Sequence, residues 1–399
     1  MLYNEDKCCG CGACISICPK KCIRLEPNAL GVIVPVINQE ECIHCNLCKK
    51  TCPNNGGNEL NYPLKCYAAY LKDREKRLDC ASGGVARAMY EKFLEESNSF
   101  IIGVCWDKGF NPVFKLTNKK DDIKLFQGSK YVQAFPENIY SQIEDKLKLG
   151  CRVLFIGMPC QIAASKKYFE TKNIDIKNLI LVDILCHGVS PNQYFQEEIS
   201  YYKSKWKLLN LLNISFRSNR RFSNYHFCIN YKNDNYKIKK FNRFAMEDPY
   251  FSSFLDASSL RESCYSCNFS RIERASDITI GDFIGLGIMP SSTPYEGDAA
   301  NVSLILSNTE KGQLFIKNIE KTVNIFERPI REAYEGGASL QKPYRKSKYR
   351  DKFIKYYQKG KFMQTINKVG GLELKAKQLK LCFIRIFYGL YLTIKGIEH

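Results

Sequence analysis

The spacing of apolar and polar positions changes along this chain, and each change predicts a different element. Lys65–Leu71 reads as a first strand of a main domain. Behind it Val85, Met89 and Phe93 recur at helical spacing, with Ser82 as the expected N-cap. Phe100–Trp106 reads as a buried strand, Val113–Leu116 as a short one, and Gln127–Gln133 as a loop running into a strand. Pro136–Leu149 has a helical pattern. Cys151–Ile156 and Leu179–Leu185 are continuous apolar runs, the signature of strands covered on both faces. The first runs into Gly157–Gln161 and a helix to about Phe169; the second ends in Cys186-His-Gly188. Strand, short turn and helix alternate, which predicts an α/β domain with parallel pairing and a ligand site at the strand ends.

Residues 206–256 alternate with a shorter period, in Leu211–Phe216, Tyr225–Tyr231 and Tyr236–Phe241, which predicts antiparallel strands followed by a helix near Phe244–Phe254. Ser276–Phe283 reads as a strand and turn, Ile284–Asp298 as a glycine- and proline-rich loop, Val302–Ser307 as a strand and Thr309–Ile319 as a helix. The remainder is basic and expected to be mostly helical. The expected fold class is thus mixed, α+β and α/β, with residues 1–58, 64–330 (about 64–150 and 151–330) and 331–399 as its parts.

The first part owes its assignment to cysteine spacing. Cys8, Cys11, Cys14 and Cys18-Pro19 recur as Cys42, Cys45, Cys48 and Cys52-Pro53, every member displaced by the same offset, so the unit is an internal duplication. The spacing is that of two-cluster bacterial ferredoxins, in which three close thiolates wrap one 4Fe-4S cubane and the fourth reaches the other. Cluster I is assigned to Cys8, Cys11, Cys14 and Cys52, and cluster II to Cys42, Cys45, Cys48 and Cys18. Zinc sites use cysteine pairs with a long gap, and disulfide scaffolds belong to short secreted domains. Cys9 and Cys22 lie outside the repeat, and His44 between two ligands reads as solvent-facing or potential-tuning. Asn54–Asn58 reads as a linker.

Composition changes this picture in two places. The chain holds 20 cysteines, and its opening residues Met1–Cys8 show no apolar signal core, so a cytoplasmic protein with reduced thiols is expected. The net charge of +19 is uneven: residues 331–399 carry 16 Lys and Arg against 5 Asp and Glu. No nucleic-acid module accompanies that charge. An acidic protein partner, an anionic cofactor or a membrane surface suits it, as does a plain solvated face. Leu379–Ile397 has the look of an interfacial amphipathic helix, a peripheral membrane contact, or of a helix docked on protein; no stretch reaches the roughly 18 apolar residues of a membrane span.

Five stretches together resemble the family of coenzyme F-420 hydrogenase/dehydrogenase beta subunits: Ser82-Gly-Gly-Val85, Gly128-Ser-Lys-Tyr-Val-Gln133, Gly157–Ala164, Cys186-His-Gly-Val189, and Cys264-x-x-Cys267 with Asp277–Phe283. The resemblance runs from about Leu64 to Leu306, behind the ferredoxin unit. It implies an FAD-dependent oxidoreductase that moves electrons between 4Fe-4S clusters and an organic substrate, or the deazaflavin coenzyme F-420 itself. Flavin is the cofactor type that joins one-electron clusters to hydride chemistry. Ser82, Gly83 and Gly84 would cradle the FAD pyrophosphate, and Gly128, Ser129, Lys130, Tyr131 and Gln133 would face the flavin, Lys130 stabilising its anionic reduced form. The pattern departs at Arg87, where relatives carry Thr.

Cys160, Cys186, Cys264 and Cys267 fall inside these motifs and number four, the ligand count of a third 4Fe-4S cluster; a structural zinc or metal-free buried thiols fit the same four. His187 is a candidate proton donor to substrate or a hydrogen-bonding neighbour. Asp282 is expected to orient or cap its loop, and Cys66, Cys80, Cys105, Cys151, Cys228 and Cys382 are read as core thiols. The expected partners are a redox protein, ferredoxin or a catalytic subunit, and an organic small molecule. The alternative is an electron relay with no substrate of its own.

Overall fold

A computed structural model describes residues 4–217, 225–288, 295–298 and 301–369. Its strands are β1 (Ile23–Pro27), β2 (Ile33–Ile37), β3 (Lys65–Leu71), β4 (Ser99–Trp106), β5 (Pro112–Thr117), β6 (Arg152–Gly157), β7 (Leu179–Ile184), β8 (Leu211–Ser215), β9 (His226–Lys232), β10 (Ile238–Phe244), β11 (Ile278–Asp282), β12 (Ser303–Ser307) and β13 (Val323–Arg328). They form two units. One holds residues up to 192 together with 260–345; the other holds 193–259 together with the described residues from 346 on.

The first unit is built on an eight-stranded sheet in the order β13-β3-β12-β11-β7-β6-β4-β5. Its centre is parallel, β4 with β6, β6 with β7 and β7 with β11. β5, β12 and β13 pair antiparallel to their neighbours, so the expected parallel sheet is in fact mixed. The continuous apolar runs are explained by burial on both faces. Ile101, Leu154, Ile180 and Val182 meet Val85, Met89, Phe93, Phe315 and Ile319 on one face. Ile102, Val153, Phe155, Leu179 and Leu181 meet Ile143, Ile162 and Phe169 on the other. Alternate residues of one strand thus serve opposite cores, as the pleat requires.

The same second core contains Cys11, Ala13 and Ile17, so the ferredoxin loops are packed into the sheet's helical layer. Tyr140 fastens them: its buried hydroxyl donates to Cys11 O at 2.7 Å and lies 3.3 Å from Gln161 O. β1 and β2 form a small antiparallel ladder beside the loops.

Four further sequence expectations are corrected. The helix Val85–Phe93 is capped at Gly84, not Ser82, because Gly84 enters it at φ +84°, and the Ser82 hydroxyl donates to Val302 O instead. Residues 127–134 form no strand; only Phe135 makes an isolated bridge, to Val113. The region after Ile319 begins with β13, an edge strand on β3, before its short helices. Nor does a boundary at 150 divide the first unit, since β4 and β6 are neighbours on either side of it.

In the second unit β10, β9 and β8 form the expected antiparallel sheet. It packs aromatic rings of Phe195, Phe216, Phe227 and Tyr250 against one another. Among the described residues no helix is long and apolar enough to cross a membrane; Leu379–Ile397 and Cys382 lie outside the described residues.

Candidate redox site

The ferredoxin loops turn on glycines that other residues replace only with strain. Gly12 at φ +75° opens the helix Ala13–Ile17, and Gly10 at φ +66° lets the chain pass closely under Gln133 and Arg261. The result is a cavity lined by Cys8, Cys11, Cys14 and Cys52, the four thiols assigned to cluster I, together with Cys9 and Cys48. Burial pushes the Cys14 thiol well up, and its neighbours Cys8 and Cys52 push it further. Crowded thiols in a low-dielectric pocket hold their protons until a cation replaces them, and iron does so. Cys48 interacts with Cys45 and Cys18 of the cluster II set. Cys22 lies 3.4 Å from Cys18, sulfur to sulfur, and exposed His44 keeps Nδ1 4.0 Å from the Cys42 sulfur.

A second thiol group collects at the carboxyl edge of the large sheet. β6 ends at Gly157 and delivers Cys160 on the first turn of the helix Pro159–Thr171. Gln161 fixes that turn, accepting from Met158 N at 3.0 Å and donating to Ala134 O at 2.9 Å. β7 ends at Ile184 and delivers Cys186. Cys264 sits in the 3-10 turn Glu262–Ser266, with Cys267 directly after it. Arg274 holds the segment beyond, donating to Phe269 O and Arg271 O while paired with buried Asp183 of β7 at 2.9 Å.

Cys160, Cys186, Cys264 and Cys267 line one cavity with Cys9 and His187. Burial pushes the Cys186 thiol up to about 12, with Cys267 adding to the effect. The His187 ring lies against the Tyr344 ring, tilted by 53° with centroids 3.9 Å apart. Among the described residues no three Cys, His, Asp or Glu side chains converge on a single ion-sized point; the thiols ring cavities instead. Cys66, Cys80, Cys105 and Cys228 are buried and Cys151 is half-buried.

Cys9, read from the repeat as standing outside the ligand sets, occupies the space between them. It lines both thiol cavities, and the neighbouring Cys11 and Cys160 thiols hold its own well below the ordinary thiol range. The same contacts, with burial, push Cys11 and Cys160 up. Gln133, expected to face the flavin, is spent here: it is buried, donates to Cys9 O at 3.1 Å and accepts from Arg261 Nη1 at 3.1 Å. Neither Arg261 nor Tyr140 carries a motif signal; only the tertiary fold reveals them.

The remaining flavin candidates lie on the same edge of the sheet. Gly83 packs on Ala69 O of β3 and Ser303 of β12, leaving no room for a side chain. Gly84 offers the helix behind it no side-chain cap, so its first N–H groups are free for an anion. The Gln127 amide approaches the Cys80 sulfur at 3.8 Å, which brings the Gly128–Tyr131 loop beside the Ser82–Gly84 turn. The space over Gly128 is open. Lys130 is held by Leu125 O and Gln127 O, and burial lowers it to about 8, with Cys105 opposing. Arg87 pairs with Glu91 at 2.9 Å along its own helix. Asp282 closes β11, whereas Asp277 is structural, accepting from Leu181 N and Thr309 and pairing with Lys311.

Comparison with known proteins agrees with this layout. Residues 7–55 match the 4Fe-4S dicluster domain, and residues 150–333 match the family described as the C terminus of the coenzyme F-420 hydrogenase/dehydrogenase beta subunit. An F(420)H(2) dehydrogenase subunit of Methanosarcina mazei is 25% identical over 196 residues, which are 46% of this chain and 54% of that protein. The chain thus spans about half the length of this curated relative. A chain of the F-420-reducing NiFe hydrogenase complex from Methanosarcina barkeri aligns over 77% of this chain and 90% of its own, with a TM-score of 0.45 and 17% identity. Behind a 4Fe-4S dicluster domain, residues 150–333 of this chain therefore match the C-terminal part of the coenzyme F-420 hydrogenase/dehydrogenase beta subunit.

Proposed function

We propose that this protein is an iron–sulfur flavoprotein oxidoreductase with three 4Fe-4S clusters and one FAD. The observation that supports it best is the continuity of thiols from the ferredoxin unit to the sheet edge: Cys9 lines both the cavity of Cys8, Cys11, Cys14 and Cys52 and the cavity of Cys160, Cys186, Cys264 and Cys267. Two separate ligand sets thereby become one path that ends where the flavin candidates lie. Cys8, Cys11, Cys14 and Cys52 hold cluster I; Cys18, Cys42, Cys45 and Cys48 hold cluster II; Cys160, Cys186, Cys264 and Cys267 hold the third. Ser82, Gly83 and Gly84 bind the FAD pyrophosphate, and Gly128, Ser129, Lys130 and Tyr131 bind its ring.

When bound, FAD supplies the exchange between single electrons and a hydride that clusters alone lack. The chain's own residues orient that chemistry. Lys130, half-buried and easily deprotonated, holds a proton at Nζ and gains it fully when an anionic ring lies against it. His187, on the third thiol cavity, holds a proton at its imidazole for an organic substrate or a reduced deazaflavin. Cys160 and Cys267 pack against Phe269 and Ala275, which limits their contact with water.

The relay reading is favoured by one finding: the M. mazei relative is named as a subunit. Anaerobic assay of the isolated, reconstituted chain separates the two. Reduction of a viologen dye by reduced coenzyme F-420, abolished by Cys160→Ser, is the expected result. Full cluster reduction by dithionite with no turnover of F-420 or of any organic acceptor would instead make the chain a relay that needs a catalytic partner.

A further inference from the structure

Arg261 is 1% exposed and ties the backbone of Cys8 to that of Cys264. Its own backbone belongs to the third set, since its carbonyl accepts from Cys264 N at 3.0 Å. Its side chain belongs to the first: Nε donates to Cys8 O at 2.6 Å. Nη1 is held by Gln133, whose amide in turn holds Cys9 O. Nη2 is buried and has no hydrogen-bond partner. The guanidinium packs so closely on Gly10 that a Cβ there would stand 2.8 Å from Nη1. A buried cation with an unused donor is costly unless something negative faces it.

We propose that Arg261 is a potential-setting residue shared by cluster I and the third cluster. It is not a ligand. Its fixed positive charge and free N–H stabilise the extra negative charge that each cluster takes up on reduction, so both accept electrons more readily than cluster II. Net charge and hydrogen bonds to sulfur are two of the levers that set such potentials. Gln133 is the residue that aims the guanidinium. The assignment for the third cluster rests on the function proposed above; the assignment for cluster I rests on the ferredoxin unit alone.

The test is an EPR-monitored redox titration of the anaerobically reconstituted full chain, as wild type, Arg261→Met, Arg261→Lys and Gln133→Leu. Cys45→Ser identifies the cluster II signal. Arg261→Met is expected to make reduction of cluster I at least tenfold less favourable, about 59 mV lower for one electron. Arg261→Lys and Gln133→Leu shift it less, and cluster II stays in place. Unchanged midpoints in Arg261→Met overturn the proposal, and so does an equal shift of every cluster. Loss of iron from both Arg261→Met and Arg261→Lys overturns it too, by making Arg261 a folding residue. A wild-type iron count near eight removes the third cluster from the reading but leaves the cluster I shift to be observed on its own.

Discussion

Asp183 and Arg274 form an ion pair of 2.9 Å that is almost wholly removed from solvent, their side chains 1% and 2% exposed. Asp183 stands on β7, three residues before Cys186; Arg274 ties down the segment that follows Cys267. The pair therefore sets the distance between two halves of the third thiol set. Removing one partner leaves an uncompensated buried charge, which costs about 3–5 kcal/mol. Arg274→Met is expected to lower the unfolding free energy by that order and to shed about four irons while the ferredoxin unit keeps its eight. Denaturant unfolding and iron analysis of the same preparation check both.

Tyr140 is the hinge pin of the ferredoxin unit. Its hydroxyl donates to Cys11 O at 2.7 Å and lies 3.3 Å from Gln161 O, and the side chain is fully buried. Tyr140→Phe leaves the buried Cys11 carbonyl short of its donor, at about 1–3 kcal/mol. The expected outcome is a lower denaturant midpoint, with cluster I the first to bleach under air, read by visible absorbance.

Gly10 faces two limits at once. Its φ of +66° disfavours any side chain, and a Cβ would sit 2.5 Å from Gln133 Nε2. Gly10→Ala is expected to push the cluster I loop off the Gln133–Arg261 clamp. Gly56→Ala is the control, because the same kind of φ is met there with open space. Iron retention during gel filtration should fall in the first variant and not in the second.

Lys130 gives a pH signature in the flavin-free chain. Burial lowers its folded-state value to about 8, below its ordinary 10.5. Between these values the unfolded chain binds the proton and the folded chain does not, so stability rises with pH across that window. Below about 8 both states are protonated and the full penalty of a buried charge is present. Denaturant midpoints from about pH 7 to 10.5 are expected to climb in wild type relative to Lys130→Met, whose curve lacks this contribution.

The parts legible in the sequence were those whose physics is local. Eight thiols at fixed spacing declare their clusters because three-residue steps alone bring them around a cubane. Apolar runs such as Leu179–Ile184 declare a strand because both faces are covered. The third thiol set is spread from Cys160 to Cys267 and converges only through β6, β7 and the Glu262–Ser266 turn, so spacing could not find it and family resemblance did. The place of Gln133 in the core is not legible for the same reason: it meets Cys9 and Arg261, each more than 100 positions away. β13 is not legible because its alternation lasts only six residues. The helix cap fell to Gly84 because a left-handed entry served the packing of β3 better than a serine side chain.

The most direct measurement is a count of iron, sulfide and flavin on protein purified and reconstituted without air. About twelve irons, as many sulfides and one FAD per chain are expected, four irons for each of three clusters. Cys160→Ser is expected to leave about eight irons. A preparation with fewer than about eight irons and no flavin, still colourless after iron, sulfide and FAD have been supplied, would contradict an iron–sulfur flavoprotein outright.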